Sequence, residues 1–272
     1  MTVTLVQDLR ALGLAAGDRV VVHSSLRAVG AVPGGAESVV DALLEVLGPQ
    51  GLLVVPAFTY TTARFDPASE PGRTGAIAEA ARLRPGAVRS LHPTHSVAAL
   101  GAGARELCAN HEDVAGTDID SPLDRLARAG GLVLLLGVGH IANTTVHVAE
   151  FRADAPYLST PFGPEWPRAH EIVTGDEVLT VEYDRFPGCS RAFGVVERGL
   201  REQGVIRDGR VGRAESQLVP GEALIEESLR LLERDALALL CSDAQPAHRC
   251  ARARAQLGPA APTSPRSTRS AT

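Results

Sequence analysis

Residues 132–151 read LVLLLGVGHIANTTVHVAEF. The apolar run Leu132–Leu136 shows no alternation, which is typical of a strand that is buried on both faces of a sheet. A glycine-containing loop follows, and residues 144–151 have the spacing of a helix. A buried strand that leads through a loop into a helix is the unit from which α/β proteins are built, so this stretch predicts an α/β fold.

Helices and strands alternate in the same way through most of the chain. We predict helices over residues 4–12, 36–47, 75–83, 190–202 and 221–240. We predict strands or extended segments over residues 19–23, 52–56, 88–91, 96–100 and 177–183. This order indicates an α/β/α sandwich around a central, largely parallel or mixed sheet. Because no linker divides residues 1–242, we expect them to form a single domain.

The last thirty residues, 243–272, differ in composition from the rest of the chain. They consist mainly of Ala, Pro, Ser, Thr and Arg, and they show no hydrophobic period. Such a segment lacks the apolar surface that packing requires, so we predict a disordered tail. The tail carries five arginines and one acidic residue, so the preceding part is more acidic than the net charge of -5 suggests.

Composition excludes several classes of protein. The chain has 272 residues, a net charge of -5 and only 4% aromatic residues, which does not suit a protein that wraps DNA or stacks single-stranded bases. No apolar run approaches the roughly 18 residues of a membrane helix, and residues 1–10 lack a signal-peptide pattern, so we expect a cytoplasmic protein without membrane contact. The four cysteines form no CxxC pair, which argues against a structural zinc site or a disulfide framework.

Residues 23–27, HSSLR, lie between a strand and a glycine-rich loop that contains Gly34 and Gly35 and leads into a helix. A helix N-terminus presents free N–H groups and the positive end of its dipole, which suits a phosphate. The two serine hydroxyls and the arginine charge would add to such a site. Turn glycines account for the same pattern, and the segment matches neither the dinucleotide-binding nor the Walker sequence.

On the helix predicted over residues 144–151, His147 and Glu150 are three positions apart and share one face. A histidine suits general-base catalysis, and a carboxylate on the same face can orient its ring. Asn143 or Thr144 is placed to cap this helix. The same residues also fit an ordinary capped helix with one histidine, or a metal site of His140, His147 and Glu150, although the HExxH pattern is absent.

Two further segments carry polar groups. Residues 92–96, HPTHS, suggest a strand that enters a polar cleft, and a turn with one exposed histidine accounts for them equally well. Residues 183–190, YDRFPGCS, follow a predicted strand. Asp184 there is a candidate second carboxylate beside His147, or an anion for a cationic substrate. We discount Cys189 as a nucleophile, because many such cysteines are merely buried.

Together these segments resemble the aminoglycoside 3-N-acetyltransferase family. Four blocks carry the resemblance in order within residues 4–241: LRALGLAAGDRVVVHSSLRAVG, LHPTHSVAALG, LLLGVGHIANTTVHVAE and YDRFPGCSRAF. The resemblance implies an α/β/α sandwich with acetyl-coenzyme A as the acetyl donor. It also implies transfer of the acetyl group to the 3-amino group of a 2-deoxystreptamine aminoglycoside, a reaction that confers antibiotic resistance.

The resemblance implies roles for individual residues as well. The family's catalytic histidine falls on His147 and its partner acid on Glu150, with Asp184 as a member of the acidic centre. Together with the phosphate-loop argument, it leads us to expect coenzyme contacts at a larger set: His23, Ser24, Ser25, Leu26, Arg27, Gly34, Gly35, Thr94, His95 and Ser96. Acceptor contacts are expected at His140, Asn143, Thr144 and Asp184, and no metal is expected.

The sequence alone leaves the identity of the acceptor open. An aminoglycoside amine is mostly protonated at neutral pH, so a base must remove a proton before the amine attacks, and a polycationic acceptor suits a negative cleft. Ile141 and Ala142 stand where relatives often carry a polar or acidic pair, so a different amine is an alternative acceptor. A metal-dependent hydrolase and a protein that binds drugs without modifying them are further alternatives. The sequence does not indicate an oligomeric state.

Overall fold

The computed structural model describes residues 2–60, 63–161, 163 and 166–258. Its strands are β1 (Arg19–Ser24), β2 (Leu52–Pro56), β3 (Arg64–Phe65), β4 (Val88–Arg89), β5 (Val97–Gly101), β6 (Leu132–Leu136), β7 (Ala169–Thr174), β8 (Glu177–Glu182), β9 (Arg207–Val211) and β10 (Ala214–Pro220). Its α-helices are α1 (Thr2–Leu12), α2 (Leu26–Val29), α3 (Gly35–Leu47), α4 (Ala76–Leu83), α5 (Ala104–Cys108), α6 (Pro122–Arg128), α7 (Val146–Arg152), α8 (Val196–Glu202), α9 (Gly221–Arg234) and α10 (Arg249–Leu257). Short 3-10 helices cover His111–Asp113, His140–Ala142 and Ser190–Val195.

A mixed seven-stranded sheet forms the centre of this described part, in the order β4-β5-β2-β1-β6-β10-β9. β1 pairs in parallel with both β2 and β6, whereas β5 and β10 pair antiparallel to β2 and β6. The three parallel strands are the Val- and Leu-rich runs of the sequence, as expected for strands covered on both faces. Their carboxyl ends therefore lie together at one edge of the sheet.

Helices cover both faces of this sheet and form two apolar cores. On β1, Val20 and Val22 pack into the core that includes residues of α1, α3 and α4. Val21 points to the opposite face and packs with residues of α5 to α9. Because side chains alternate along a strand, this single run of valines packs into both cores. The predicted α/β/α sandwich is confirmed.

The predicted elements recur with shifted ends. The predicted helix over residues 221–240 ends at Arg234, because Asp235 adopts an extended conformation. The predicted helix over residues 190–202 consists of the 3-10 helix Ser190–Val195 followed by α8. The predicted strand over residues 177–183 is β8, which pairs with β7 in a separate three-stranded sheet and is mostly exposed.

The strands β9 and β10 were not predicted. Their sequences, RDGRV and AESQLVP, contain charged and small residues and lack a run of large apolar side chains. β9 is the edge strand of the central sheet, and β10 lies between β9 and β6 with only some of its residues, such as Leu218, fully buried. A strand that is covered over only part of its surface needs no continuous apolar run, so the local pattern does not indicate these two strands.

The prediction of a disordered tail is wrong for residues 243–258. Residues 249–257 form α10, and Cys250 and Ala253 are buried against Phe151 and other residues of a third apolar cluster. The buried Arg249 side chain donates hydrogen bonds to the carbonyl oxygens of Tyr157, Thr160 and Phe186. An arginine with three carbonyl acceptors anchors the helix although its composition is polar. Residues 259–272 lie outside the described residues, and their disorder stays a prediction.

Among the described helices, none combines the length and the hydrophobicity that crossing a bilayer requires.

Truncation after Ser242 is expected to destabilise the protein. It removes α10, exposes the apolar cluster around Phe151 and removes the donor of the Thr160 and Phe186 carbonyl oxygens, whereas the Tyr157 carbonyl still accepts from the Thr160 amide. We expect a loss of several kcal/mol in the free energy of unfolding, because each buried acceptor left without a partner costs about 1–3 kcal/mol. Urea unfolding of the two chains measures this loss.

Truncation after Gly258 is the matched control, because it keeps α10 and removes only residues 259–272. Equal stability of the chain that ends at Ser242 and the full chain would contradict the anchoring role of α10.

Candidate active site

A cavity of about 610 Å³ lies at the carboxyl ends of β1 and β2, beside the loop that follows β6. This is the edge at which α/β sheets commonly bind ligands, and the volume is in the range of small-molecule sites. The lining side chains come from strand ends, loops and the start of α10: His23, Ser24, Pro56, Phe58, Tyr60, Thr74, His95, Ile141, Ala142, Thr144, His147, Trp166, Pro187, Gly188, Cys189, Ser190, Arg191, Ala247, His248 and Arg249.

The first turn of α7 places His147 in the wall of this cavity, with Glu150 behind it. The His147 Nδ1 atom lies 2.7 Å from Glu150 Oε2. His147 is 8% exposed and Glu150 is fully buried, so the carboxylate meets the cavity only through the ring. Since Glu150 occupies Nδ1, Nε2 is the ring nitrogen that remains for a ligand. The spacing of three residues predicted this shared face correctly.

Glu150 is held on both of its oxygens. Tyr157 donates its hydroxyl to Oε1 at 2.9 Å, and the Gly188 amide donates to Oε2 at 2.6 Å. Burial, followed by the nearby Glu150 charge, raises the pKa of Tyr157 well above its usual 10, so the phenol stays protonated and acts as a donor. A Cβ at residue 188 would overlap the Glu150 carboxylate, so this close approach requires glycine.

Two neutral histidines accompany His147 in the wall. Burial, with smaller contributions from the neighbouring histidines, lowers the pKa of His23 and of His95 from 6.5 to about 3. His95 Nδ1 bonds the Thr94 hydroxyl at 2.8 Å, whereas the buried His23 Nε2 has no hydrogen-bond partner among the described residues. A buried polar atom without a partner at a cavity wall is a candidate ligand contact.

Only some of the predicted coenzyme residues line the cavity, namely His23, Ser24 and His95. Ser25 instead caps α2, with its Oγ accepting from the Ala28 amide. The Ser96 hydroxyl donates to the Ala57 carbonyl. The remaining members of the set lie outside the cavity wall, so their coenzyme contacts stay a prediction: Leu26, Arg27, Gly34, Gly35 and Thr94.

Only some of the residues predicted to contact the acceptor line the cavity. Thr144 lines the cavity, as do Ile141 and Ala142, and Ile141 is 55% exposed. His140 and Asn143 are buried beside each other, with His140 Nδ1 3.2 Å from Asn143 Nδ2. Asn143 Oδ1 accepts from the Thr145 amide, but Thr145 itself is the N-cap residue of α7 and makes no side-chain capping bond, so the prediction that Asn143 or Thr144 caps this helix is wrong.

Asp184 does not occupy the predicted position beside His147. Its side chain is exposed, it does not line the cavity, and within the described residues it makes no hydrogen bond or ion pair. β8 ends at Glu182, and the following loop turns Tyr183 inward and Asp184 outward. The carboxylate of this centre is Glu150.

The described cavity wall is not acidic. It includes Arg191 and Arg249 and contains no Asp or Glu. Arg191 pairs with Asp243 at 2.9 Å, and Arg249 is anchored on carbonyl oxygens. The expected negative cleft is therefore wrong for this part of the wall, and the net negative charge lies elsewhere on the chain.

The metal alternative on α7 is not supported by the described residues. Among them, only Cys189, Cys241 and Cys250 bring three potential ligand atoms together. His140, His147 and Glu150 do not converge, because the short helix after β6 turns His140 toward Asn143. The cysteine spacing predicted no such group, but three cysteines that are distant in sequence meet in the fold.

Sequence reasoning did not identify Tyr157, the Gly188 amide or the start of α10 as parts of the site. Tyr157 lies seven residues after Glu150, beyond the end of α7, so no helical period connects the two. The amide of Gly188 leaves no side-chain signal. Arg249 and His248 fell in a segment whose polar composition suggested disorder.

Comparison with known proteins gives one consistent result. The family model described as aminoglycoside 3-N-acetyltransferase matches residues 21–233. Aminoglycoside N(3)-acetyltransferase VII of Streptomyces paromomycinus is 38% identical, over 84% of this chain and 90% of that protein.

Solved structures agree with the sequence comparison. The crystal structure of a histidine-to-alanine mutant of aminoglycoside acetyltransferase AAC(3)-IVa in complex with a gentamicin matches with a TM-score of 0.83 and 32% identity, over 93% of this chain and 96% of that chain. The structure of AAC-IIIb in a binary complex with CoASH matches with a TM-score of 0.73 and 29% identity, over 86% and 97%.

The buried histidines predict a pH-dependent stability. Burial lowers the pKa of His23 and His95 to about 3 and that of His111 to about 4, from 6.5 in each case. As the pH falls below 6.5, the unfolded chain therefore binds protons that the folded chain does not, and the folded state loses stability. Each ring lowers the free energy of unfolding by up to about 1.4 kcal/mol for each unit by which the pH falls.

Urea midpoints at about pH 7.5 and about pH 5.5 measure this effect. We expect a clearly lower midpoint at the lower pH, with net proton uptake on unfolding. A midpoint that does not change would contradict the neutral state of these rings.

Proposed function

The chain belongs to the aminoglycoside 3-N-acetyltransferase family, and on that basis we propose that it transfers an acetyl group from acetyl-coenzyme A to the 3-amino group of a 2-deoxystreptamine aminoglycoside. It is an acyltransferase, and this activity is one that confers antibiotic resistance. The observation that carries the mechanism is the bond between His147 and the buried Glu150 at the cavity wall. We assign the general base to His147.

His147 is suited to this role by its two nitrogens. Nδ1 is bonded to Glu150, which fixes the orientation of the ring, and Nε2 is left to take a proton from the acceptor nitrogen. The amine then uses its free electron pair to form the new C–N bond, the C–S bond of the thioester breaks, and the acylated nitrogen releases its remaining excess proton to water. The proton held on Nε2 is available to the departing thiolate, so the ring returns to its starting state.

Glu150 compensates the positive charge that the ring takes up during this transfer. It can do so from a buried position because Tyr157 and Gly188 already satisfy its oxygens. Tyr157 and the Gly188 amide are therefore positioning groups, which act through Glu150 and not on the substrate. A positioned base of this kind contributes about 100- to 10,000-fold in rate.

Acetyl-coenzyme A is a substrate that supplies the acetyl group as a thioester. The residues present fit such a molecule: His23 offers a buried Nε2 without a partner among the described residues, and Pro56 and Phe58 give the same wall an apolar surface. Arg191 also lines the cavity, and the guanidinium N–H groups that do not bond Asp243 can donate to a phosphate. A relative that binds CoASH supports this assignment.

The acceptor would meet the part of the wall that precedes α7. Ile141, Ala142 and Thr144 lie there, close in sequence to His147, and Ile141 is exposed. A gentamicin complex of a relative supports an aminoglycoside as the acceptor class. Because the described wall lacks carboxylates, we propose that shape and hydroxyl contacts contribute more than charge to acceptor selection here.

Replacing the base is expected to remove most of the activity. We expect His147→Ala to lower kcat by at least about 100-fold while coenzyme affinity stays nearly unchanged, because the ring acts on the amine proton. Release of free thiol from acetyl-coenzyme A, with gentamicin as the acceptor, measures turnover. Near-normal turnover of the variant would contradict the assignment.

Asp184→Asn tests whether Asp184, the other acidic candidate beside Glu150, contributes to catalysis. We expect wild-type kinetics in the thiol-release assay, since the Asp184 side chain is exposed and outside the cavity wall.

The thiol-release assay with amines that lack the 2-deoxystreptamine ring tests the acceptor class. Faster turnover of such an amine than of gentamicin would overturn the proposed substrate and leave the base intact.

Gly188→Ala tests the support of the carboxylate without changing a reactive group. The added methyl would overlap the Glu150 carboxylate and displace it, and we expect kcat to fall on the order of 10- to 100-fold. Gly194→Ala is the matched control, because a Cβ there meets no atom within 4 Å. Neither glycine has a positive φ, so backbone strain does not differ between them. Equal kinetics of the two variants would contradict the role of Gly188.

A further inference from the structure

At one end of the cavity the fold brings together three thiols that the acetyl-transfer mechanism does not use. Cys189 lies in the loop after β8, Cys241 follows α9, and Cys250 is in the first turn of α10. Their sulfur atoms all lie within 4.8 Å of one another, and none of the three is in a disulfide. The geometry points to a structural zinc site formed by these three thiolates with His248 as the fourth ligand.

The distances suit a metal better than a disulfide. The sulfur atoms of Cys189 and Cys241 are 3.9 Å apart. Sulfurs that share a tetrahedral zinc with Zn–S bonds of about 2.3 Å are about 3.8 Å apart. A disulfide would require a separation of about 2.05 Å, and so a displacement of the loop against the C-terminal segment.

His248 supplies the nearest ring nitrogens to this group. Its Nε2 lies 4.0 Å from the Cys189 sulfur, and its Nδ1 lies 3.8 Å from the Cys241 sulfur. Nδ1 also accepts a long hydrogen bond of 3.3 Å from the Cys250 amide. Coordination through Nε2 would place the ring proton on Nδ1 and release this bond. Three cysteines and one histidine are a ligand set that structural zinc commonly takes.

The surrounding chain shows why a metal would be useful here. Residues 242–248 contain no large apolar side chain, and only Arg249, Cys250 and Ala253 of α10 are buried. A segment with so little core depends on cross-links or a metal for much of its stability. The proposed ion would join this segment to the loop of Cys189.

The ion would also stabilise the catalytic wall at a distance from the chemistry. Cys189 directly follows Gly188, whose amide holds Glu150, and His248 and Arg249 line the same cavity. Zinc would thus fix the backbone on which the Glu150 contact depends. The inference rests on the geometry of the three cysteines and His248 and not on the acetyl-transfer proposal, so either can fail without the other.

The test is the metal content of the full chain, produced with zinc in the medium and purified without chelator. We expect about one zinc ion per chain by mass spectrometry of the metal, and a lower thermal midpoint after exhaustive chelation. Replacing zinc with cobalt(II) is expected to give the strong charge-transfer absorption of thiolate ligands. Both readouts use the native chain, so they do not depend on a variant that folds.

Variants then assign the ligands. Cys189→Ser, Cys241→Ser and Cys250→Ser are each expected to lose the zinc, and His248→Ala to bind it at least about 10-fold more weakly. Cys108→Ser is the matched control and should keep it, because the Cys108 sulfur contacts the Val88 carbonyl in a different core. Zinc well below one ion per chain, retention of zinc by Cys250→Ser, or a native Cys189–Cys241 disulfide would each overturn the site.

Discussion

The site depends on the burial of one carboxylate. Glu150 has no exposure to solvent, and a charged group in such a position is stable only if nearly all of its hydrogen-bonding capacity is used. His147, Tyr157 and the Gly188 amide provide those bonds. Each comes from a different segment, so this requirement fixes how α7, the residues after it and the loop before Ser190 pack together. The same bonds point one nitrogen of His147 into the cavity.

The fold supplies the place at which this pair can act. Parallel pairing of β1 with β2 and β6 brings three strand ends to one edge, and the loops that leave them form the cavity wall. The C-terminal segment closes another part of the wall, with Arg249 anchored on three carbonyl oxygens. Catalytic geometry and C-terminal packing are therefore coupled, and the cysteine cluster lies at the point where they meet.

The sequence predicted correctly those features that a local pattern of residues determines. Buried runs such as Val20 to Val22 predicted the central strands, and the spacing of His147 and Glu150 predicted their contact. It did not predict contacts between segments that are distant in the sequence. The Gly188 amide, Tyr157 and the meeting of Cys189 with Cys250 depend on tertiary packing, which no local period records. Asp184 is a polar residue in a suggestive motif, but its side chain is exposed and outside the cavity wall.

The central claim is that His147 removes the proton from the acceptor amine. The dependence of kcat/KM on pH, measured for the wild type and for His147→Ala, tests it most directly. The account predicts that the wild type depends less on pH than the variant does, because His147 removes the proton from the bound amine. The variant should continue to rise with pH, in proportion to the amine that has lost its proton in solution. Profiles of the same shape for both proteins would show that the amine loses its proton without His147, and would contradict the account.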